Sequence, residues 1–416
     1  MTSDSNASDS NASASNEVHP ARVLAMATAM QAVGGGFGWS LLPALMPLVA
    51  TDLGIAPTAS GFVWGSASLG IALGSPFGGA AVDRFGARRV GAIAMMVGAL
   101  ACALRVVATG TLSLAATMLL FGLHVGFVAP ALPKALAGHV RVTRLARANG
   151  IALLGYTFGT ALTVLVARTF LAPVLGGWRP TMILASVLMV IVGIAFGMLV
   201  PDRGGVSHRA TFRDAITIGR DPELRRIGAM HFLLFGGYLA LLGLLPRALM
   251  AMGMPPADVG VAIAGWLVCA GCANFGGPIV AARVGRRVVL LVGASVAALG
   301  LFGLAITGSH ALLWLALAAL GGGAVAPLLL TAPLEMPAIG MARAGAAIGF
   351  LTLIGQLGGF VLPIASGALA ETRFGFTASL AALALVHLAI VVPALGLGDA
   401  SSPDRTPAGA SVDALA

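Results

Sequence analysis

The sequence predicts an all-α integral membrane protein, with twelve transmembrane helices in two pseudo-symmetric six-helix halves. Three observations carry that expectation. Charged residues make up 9% of the 416 and hydrophobic residues 58%, against roughly 25% charged in a soluble domain. Twelve apolar runs approach or exceed the ~20 residues that a hydrocarbon core of about 30 Å requires. A charged turn at 78–89, wedged between two such runs, has a degenerate copy beginning 199 residues later. The ten-residue alternation that marks a membrane β-barrel is absent.

The elements follow in order. Residues 1–21 are rich in Ser, Asn and Asp with no basic stretch ahead of the first apolar run. They read as a disordered tail, not a cleaved signal. The first half, 22–200, is expected to place helices at 22–49, 58–80, 90–108, 112–133, 148–170 and 179–200. A polar linker spans 201–225. The second half, 226–397, repeats the plan at 226–250, 258–281, 288–306, 311–333, 344–368 and 377–397, and 398–416 forms a second polar tail. The runs Gly34–Gly36 and Gly321–Gly323 lie inside apolar helices. No strand precedes them and no Gly-Lys-Ser/Thr follows, so they read as close-packing or hinge points, not phosphate loops. Cys102, Cys269 and Cys272 all fall within spans, which implies no disulfide framework. Cys269 and Cys272 read as small packing groups, and neither a metal nor a cofactor is expected.

The formal charge of +9 would suit a nucleic-acid partner, but its placement argues otherwise. With the N-terminus in the cytoplasm, nineteen of the 24 basic residues fall on that side, leaving Arg105, Arg168, Arg179, Arg247 and Arg373 outside. The opposite topology would violate the positive-inside bias. Both termini are therefore expected in the cytoplasm, with lipid and not nucleic acid as the surrounding partner. Arg105 and Arg247 lie close enough to the outer surface to read as snorkelling anchors before anion ligands.

The repeat extends beyond the charged turn. Pro47, Gly54, Pro57 and Gly61 correspond to Pro246, Gly253, Pro256 and Gly260. Gly-Phe-Val-Ala-Pro at 126–130 matches Gly-Ala-Val-Ala-Pro at 323–327, and Gly155 and Gly159 match Gly355 and Gly359. Same-direction repeats separated by an even number of spans imply halves related by an axis along the membrane normal. The charged turn itself presents Gly79, Asp83, Arg84, Gly86, Arg88 and Arg89 as Gly-X-X-X-Asp-Arg-X-Gly-X-Arg-Arg. With that motif, twelve spans and a repeated half, the chain from about 22 to 397 resembles the major facilitator superfamily.

The resemblance implies a transporter with a small-molecule substrate at a site between the halves. It also implies that the turn after helix 2 latches the cytoplasmic side in the outward-open state. The latch residues it points to are Gly79, Asp83, Arg84, Gly86 and Arg88, with Arg283, Gly285 and Arg287 in the second copy. Ala282 stands there where the acid belongs, so the second latch is incomplete. The arginines also serve simply as a basic anchor. Drug–proton antiporters of the superfamily carry an arginine in helix 4 and a Gly-Pro-rich kink in helix 5. Neither is present at 112–133 or 154–160, which argues against export. Leu104-Arg105 and Ala148-Asn149-Gly150 are similar to cyanate- and nitrate-type permeases.

Polar residues near the midplane are costly and therefore candidates for the substrate cavity. They are Trp39, His124, Tyr156, Thr160, Tyr238, Asn274, Thr352 and Gln356, with Gln31 and His231 beside them. The repeat pairs Trp39 with Tyr238 and Tyr156 with Gln356, and each pair is expected to face across a central cavity. Tyr156 and Thr160 share one helical face, as do Thr352 and Gln356. No Asp or Glu lies mid-span, which argues against a cationic substrate and a carboxylate-based proton carrier. The expectation is a secondary active transporter of a small solute, an anion favoured, in a bacterial inner membrane. It would act as a monomer by alternating access, with protons as candidate coupling ion. The rivals are export of hydrophobic compounds and a non-transporting scaffold or sensor. No nucleophile–base pair points to an enzyme.

Overall fold

The computed structural model describes residues 20–201, 219–308, 310–336 and 339–397. The expected tail at 398–416 lies outside the described residues, as do the first tail except 20–21 and the linker except 201 and 219–225. The described residues form twelve long helices. In the first half these are α1 (Pro20–Leu53), α2 (Pro57–Phe85), α3 (Ala87–Val107), α4 (Thr111–Ala137), α5 (Val142–Val166, prolonged through Ala167–Leu171 and Ala172–Leu175) and α6 (Trp178–Leu199). The second half comprises α7 (Pro222–Ala251), α8 (Pro256–Val284), α9 (Arg286–Thr307), α10 (Ala311–Glu335), α11 (Gly340–Ala370) and α12 (Gly375–Leu395).

Each expected span falls on one helix to within two residues. Eleven of the twelve are long and apolar enough to cross a membrane. The exception is α2, where Ser and Gly dilute 29 residues of otherwise apolar sequence. Several helices outrun the apolar core into charged ends: α2 continues through Asp83 and Arg84 before stopping. The stop is set by Gly86 at φ 86°, and the repeated turn is set by Gly285 at φ 91°. Only glycine enters that region without strain, so the two copies of the charged turn share a backbone device as well as a composition.

Small residues bring the helices together. A Cβ on Gly78 would sit 2.5 Å from the carbonyl oxygen of Gly126, and one on Gly277 would sit 2.4 Å from that of Ala324. The α2–α4 crossing is thus repeated as α8–α10. Both triple-glycine runs also mark close crossings. Gly36 faces Gly159 of α5 at 2.7 Å, Gly321 faces the Gly293 carbonyl oxygen of α9 at 2.4 Å, and Gly323 faces that of Ala270 on α8 at 2.6 Å, all from an added Cβ. The first run lies in a π-helical segment of α1, Gln31–Gly38, a wider winding often found at functional positions.

The halves meet mainly through α2 against α11 and α5 against α8, with α1 and α2 also touching α7. We call the side where the described chain begins and ends the terminal face, and the other the distal face.

Candidate functional site

The four helices between the halves are graded along their length. On the face of α2 toward α11, Gly61 and Gly65 are buried; a Cβ on Gly61 would lie 2.1 Å from the carbonyl oxygen of Pro363. Eighteen residues on, five helical turns along the same face, a Cβ on Gly79 would meet nothing within 4 Å. The α8 face is graded likewise. Gly260 is buried against Val164 and Leu165 of α5, whereas Asn274, Phe275 and Pro278 are exposed. Gly150 on α5 and Gly349 on α11 meet nothing within 4 Å. The seam is therefore sealed at the distal face and parted at the terminal face.

Specific bonds hold the distal seal. Trp64 Nε1 of α2 donates to the Leu239 carbonyl of α7 at 2.7 Å, and Arg247 of α7 donates to Ser60 Oγ of α2 at 2.8 Å. Glu371, just past α11, accepts the Thr58 amide at 2.7 Å. It caps the N-terminus of α2, whose own N-cap residue, Ala56, offers no side chain to do so. That bond, with Arg247 nearby, holds the Glu371 carboxyl below its ordinary value. Arg168 of α5 reaches the Met250 sulfur of α7. Outside the seal is a depression of about 340 Å³ lined by Pro47, Thr51, Arg247, Met250 and Phe376.

Where sealed and parted stretches meet, polar side chains converge. The side chains of Tyr156 (α5) and Tyr238 (α7) approach each other across the seam. Gln31 Oε1 and the Tyr156 ring both lie against Gly35 of the π-segment. Tyr238 stacks on Trp266 of α8 at 5.4 Å. Gln356 is 6% exposed, and its Oε1 has no hydrogen-bond partner. Thr352, one turn earlier, bonds the Ile348 carbonyl.

The pairing across the seam differs from the repeat-based expectation. Tyr156 is brought near Tyr238, a residue of an unrelated repeat position. Trp39 instead packs on Trp64 at 4.7 Å within its own half, as Tyr238 packs on Trp266. Repeat-related positions here do equivalent jobs in separate halves, which offset arithmetic cannot tell from mutual contact. Thr160 is 1% exposed beside the α1 glycines, and Asn274 is exposed on the parted stretch of α8. His124 lies inside the first half. It is 2% exposed, its Nδ1 is 2.7 Å from the Ala94 carbonyl, and its ring stands edge-on to Phe121 at 5.1 Å. His231, 8% exposed, stacks on Phe235 at 5.7 Å.

Asp83 forms an ion pair with Lys134 of α4, in its own half. Lys134 was not among the sequence candidates for the latch; its place at the end of helix 4 was the only hint. Arg84 lies over the Phe85 ring at 5.2 Å. Gly86 and Gly285 form the turns, Arg88 and Arg287 are partly buried, and Arg283 is exposed.

Arg105 requires a correction. It does not snorkel to the surface: it is 0% exposed, drawn inward by the 3₁₀ turn Arg105–Val107 that ends α3. Among the described residues no cluster of three His, Cys, Asp or Glu could hold a metal ion, and the three cysteines are free.

Comparisons with known proteins complete the description. Residues 28–361 match the family described as Major Facilitator Superfamily. A hexuronate transporter of Bacillus subtilis (strain 168) is 28% identical over 166 residues, 38% of this chain. That match spans only 36% of the relative's own length. Among solved structures, a bacterial homologue of the human lysosomal transporter Spinster, inward-facing and unoccupied, superposes with a TM-score of 0.76 at 14% identity. It covers 90% of this chain and 95% of the other. The nucleoside transporter NupG and a D-xylose–proton symporter each give a TM-score of 0.71 at 14% identity, over 91% of this chain and 98% of theirs.

Proposed function

Because the chain belongs to the major facilitator superfamily, we propose that this multi-pass membrane protein is a secondary transporter moving a small solute by alternating access. The observation that carries the proposal is the seam, sealed at one face and parted at the other along all four inter-half helices. A rocking motion of 22–200 against 226–397, joined by the linker at 201–225, would exchange the two ends. Gly79, Asp83, Arg84, Gly86 and Arg88, with Arg283, Gly285 and Arg287, would then close as the latch.

The solute site is the level of Tyr156, Tyr238, Gln31 and Gln356, with Thr352 and Asn274 on its approach. The placement of nineteen of 24 basic residues supports a cytoplasmic terminal face and a bacterial inner membrane as the setting. An anion is the favoured solute: no acid lies mid-span, and the relative from Bacillus subtilis is named a hexuronate transporter. A small anion and, as coupling ion, a proton are the partners of a monomer acting without a cofactor. The aromatic lining of Tyr156, Tyr238 and Trp266 favours one rival, export of hydrophobic compounds.

Counterflow in proteoliposomes separates the readings. Saturable exchange of small carboxylates, altered by an imposed pH gradient, is expected. Exchange of lipophilic cations alone would replace uptake by export, and exchange of neither would leave a scaffold or sensor.

A further inference from the structure

Arg105 heads the large side chains that are wholly buried, and it has no acid to answer it. A guanidinium presents five N–H donors and stays charged in proteins. Here Nη1 lies 3.4 Å from the Gly38 carbonyl, 3.7 Å from Cys102 Sγ and 3.9 Å from the Met182 sulfur; Nη2 lies 3.1 Å from the Met118 sulfur. The Phe121 ring faces it at 4.8 Å, and Nε has no partner. The ion pairs Lys134–Asp83 and Arg179–Asp52 do not involve Arg105. Thioethers and a thiol are weak acceptors, so the positive charge is held in place but not neutralised. Burying an unpaired charge opposes folding strongly, and an intramembrane ion without a structural partner points to a role in the pathway.

Its position supplies that role. Gly38, which accepts from Arg105, directly precedes Trp39. The Phe121 ring over which the guanidinium sits is 6.4 Å from Trp39, and Trp39 lies 4.7 Å from Trp64. Trp64 in turn bonds the second half through Leu239. A wall of aromatic rings therefore separates Arg105 from the inter-half seam. Those rings neither screen nor cancel the charge, and low-dielectric walls focus such a field into the space they enclose.

We propose that Arg105 makes the pathway select anions, acting through space across the Phe121–Trp39 wall rather than by touching the solute. This rests on the transport of an anion proposed above. A unit charge on the order of 12 Å away at an effective dielectric of ~20 corresponds to about tenfold in affinity. Arg105 is thus a positioning residue for charge, with recognition of shape left to Tyr156, Tyr238 and Gln356.

The test compares glucuronate with glucose, its uncharged match, by binding to the purified protein and by exchange in proteoliposomes. Arg105→Met replaces the charge with a thioether like its neighbours. It should weaken glucuronate about tenfold, in KM and not in maximal rate, and leave glucose unchanged. Arg105→Lys should retain the preference. Met118→Glu, which sets a carboxylate beside Nη2, should abolish it with Arg105 intact, and this holds even if Arg105→Met does not fold. Equal glucuronate affinity in wild type and Met118→Glu overturns the role of Arg105 but leaves the anion reading standing. A wild type that does not prefer glucuronate over glucose removes both.

Discussion

Replacing Gly61 by alanine adds one methyl group at the closest described approach of α2 to α11. The new Cβ would stand 2.1 Å from the carbonyl oxygen of Pro363 and 2.6 Å from its carbon. Both are backbone atoms, so no rotamer change relieves the clash, and the helices must part by roughly 1 Å. Overpacking of that kind costs about 1–3 kcal/mol, which disfavours the distally sealed state by ~5- to 150-fold. The helix itself gains, since alanine is better than glycine in a helix interior by up to about 1 kcal/mol. The loss is therefore specific to one state and not a loss of fold. Gly79→Ala is the control: its methyl meets nothing within 4 Å here and should leave the sealed state unharmed. In a background lacking Cys102, Cys269 and Cys272, Ser68→Cys, at a buried α2 position facing Gly359 of α11, reports on the seal and Asn274→Cys on the parted stretch. Gly61→Ala should raise maleimide labelling at position 68 at least fivefold and lower it at 274. Unchanged labelling, or a rise at both positions, would refute the reasoning, because the first denies the clash and the second means general loosening.

Acid should weaken the same seal. The carboxyl of Glu371 is held below its ordinary 4.5 by the Thr58 amide and Arg247. Its contribution is thus complete above pH 4.5 and fades as pH falls through the lowered value. Labelling at Ser68→Cys should rise in that acid window, and Glu371→Gln should raise it at neutral pH and remove the window. Asp83→Asn should slow exchange severalfold with little change in substrate affinity; an unchanged rate disqualifies the latch. Tyr156→Phe, Tyr238→Phe and Gln356→Ala each remove a polar group at the site and should raise KM by about 5- to 10-fold, in keeping with ~1 kcal/mol for a net hydrogen bond. A flat KM across all three, measured by exchange, would move the site elsewhere.

Depth along the membrane was legible in the sequence, whereas rotation about each helix was not. Hydropathy located every span because the bilayer demands a fixed apolar length. The 199-residue repeat anticipated the matching α2–α4 and α8–α10 crossings and the twin turns at Gly86 and Gly285. Arg105 shows where this ends. Its place in the sequence put it near a surface, but a 3₁₀ turn aims it between α1, α4 and α6. Trp39 and His124 point into their own half for a similar reason. Lipid and protein core are equally apolar, so these helices carry apolar side chains all round and the pattern does not say which face is which. The approach of Tyr156 to Tyr238 lay beyond reach because it joins unrelated positions of the repeat.

The π-segment at Gln31–Gly38 makes α1 sensitive to counting, not only to chemistry. Its wider winding absorbs surplus residues, so the helix before it and the helix after it are out of phase. Deleting a single residue there would tighten the winding and swing everything upstream by about 100°. Thr28 and Ala32 would leave Gly155 and Gly159, against which they now sit, and Gln31 would leave Tyr156, while Trp39 stayed on Trp64. A one-residue indel in this stretch is thus a larger event than most substitutions away from Gly36, and relatives should vary at its looser positions before they vary in its length.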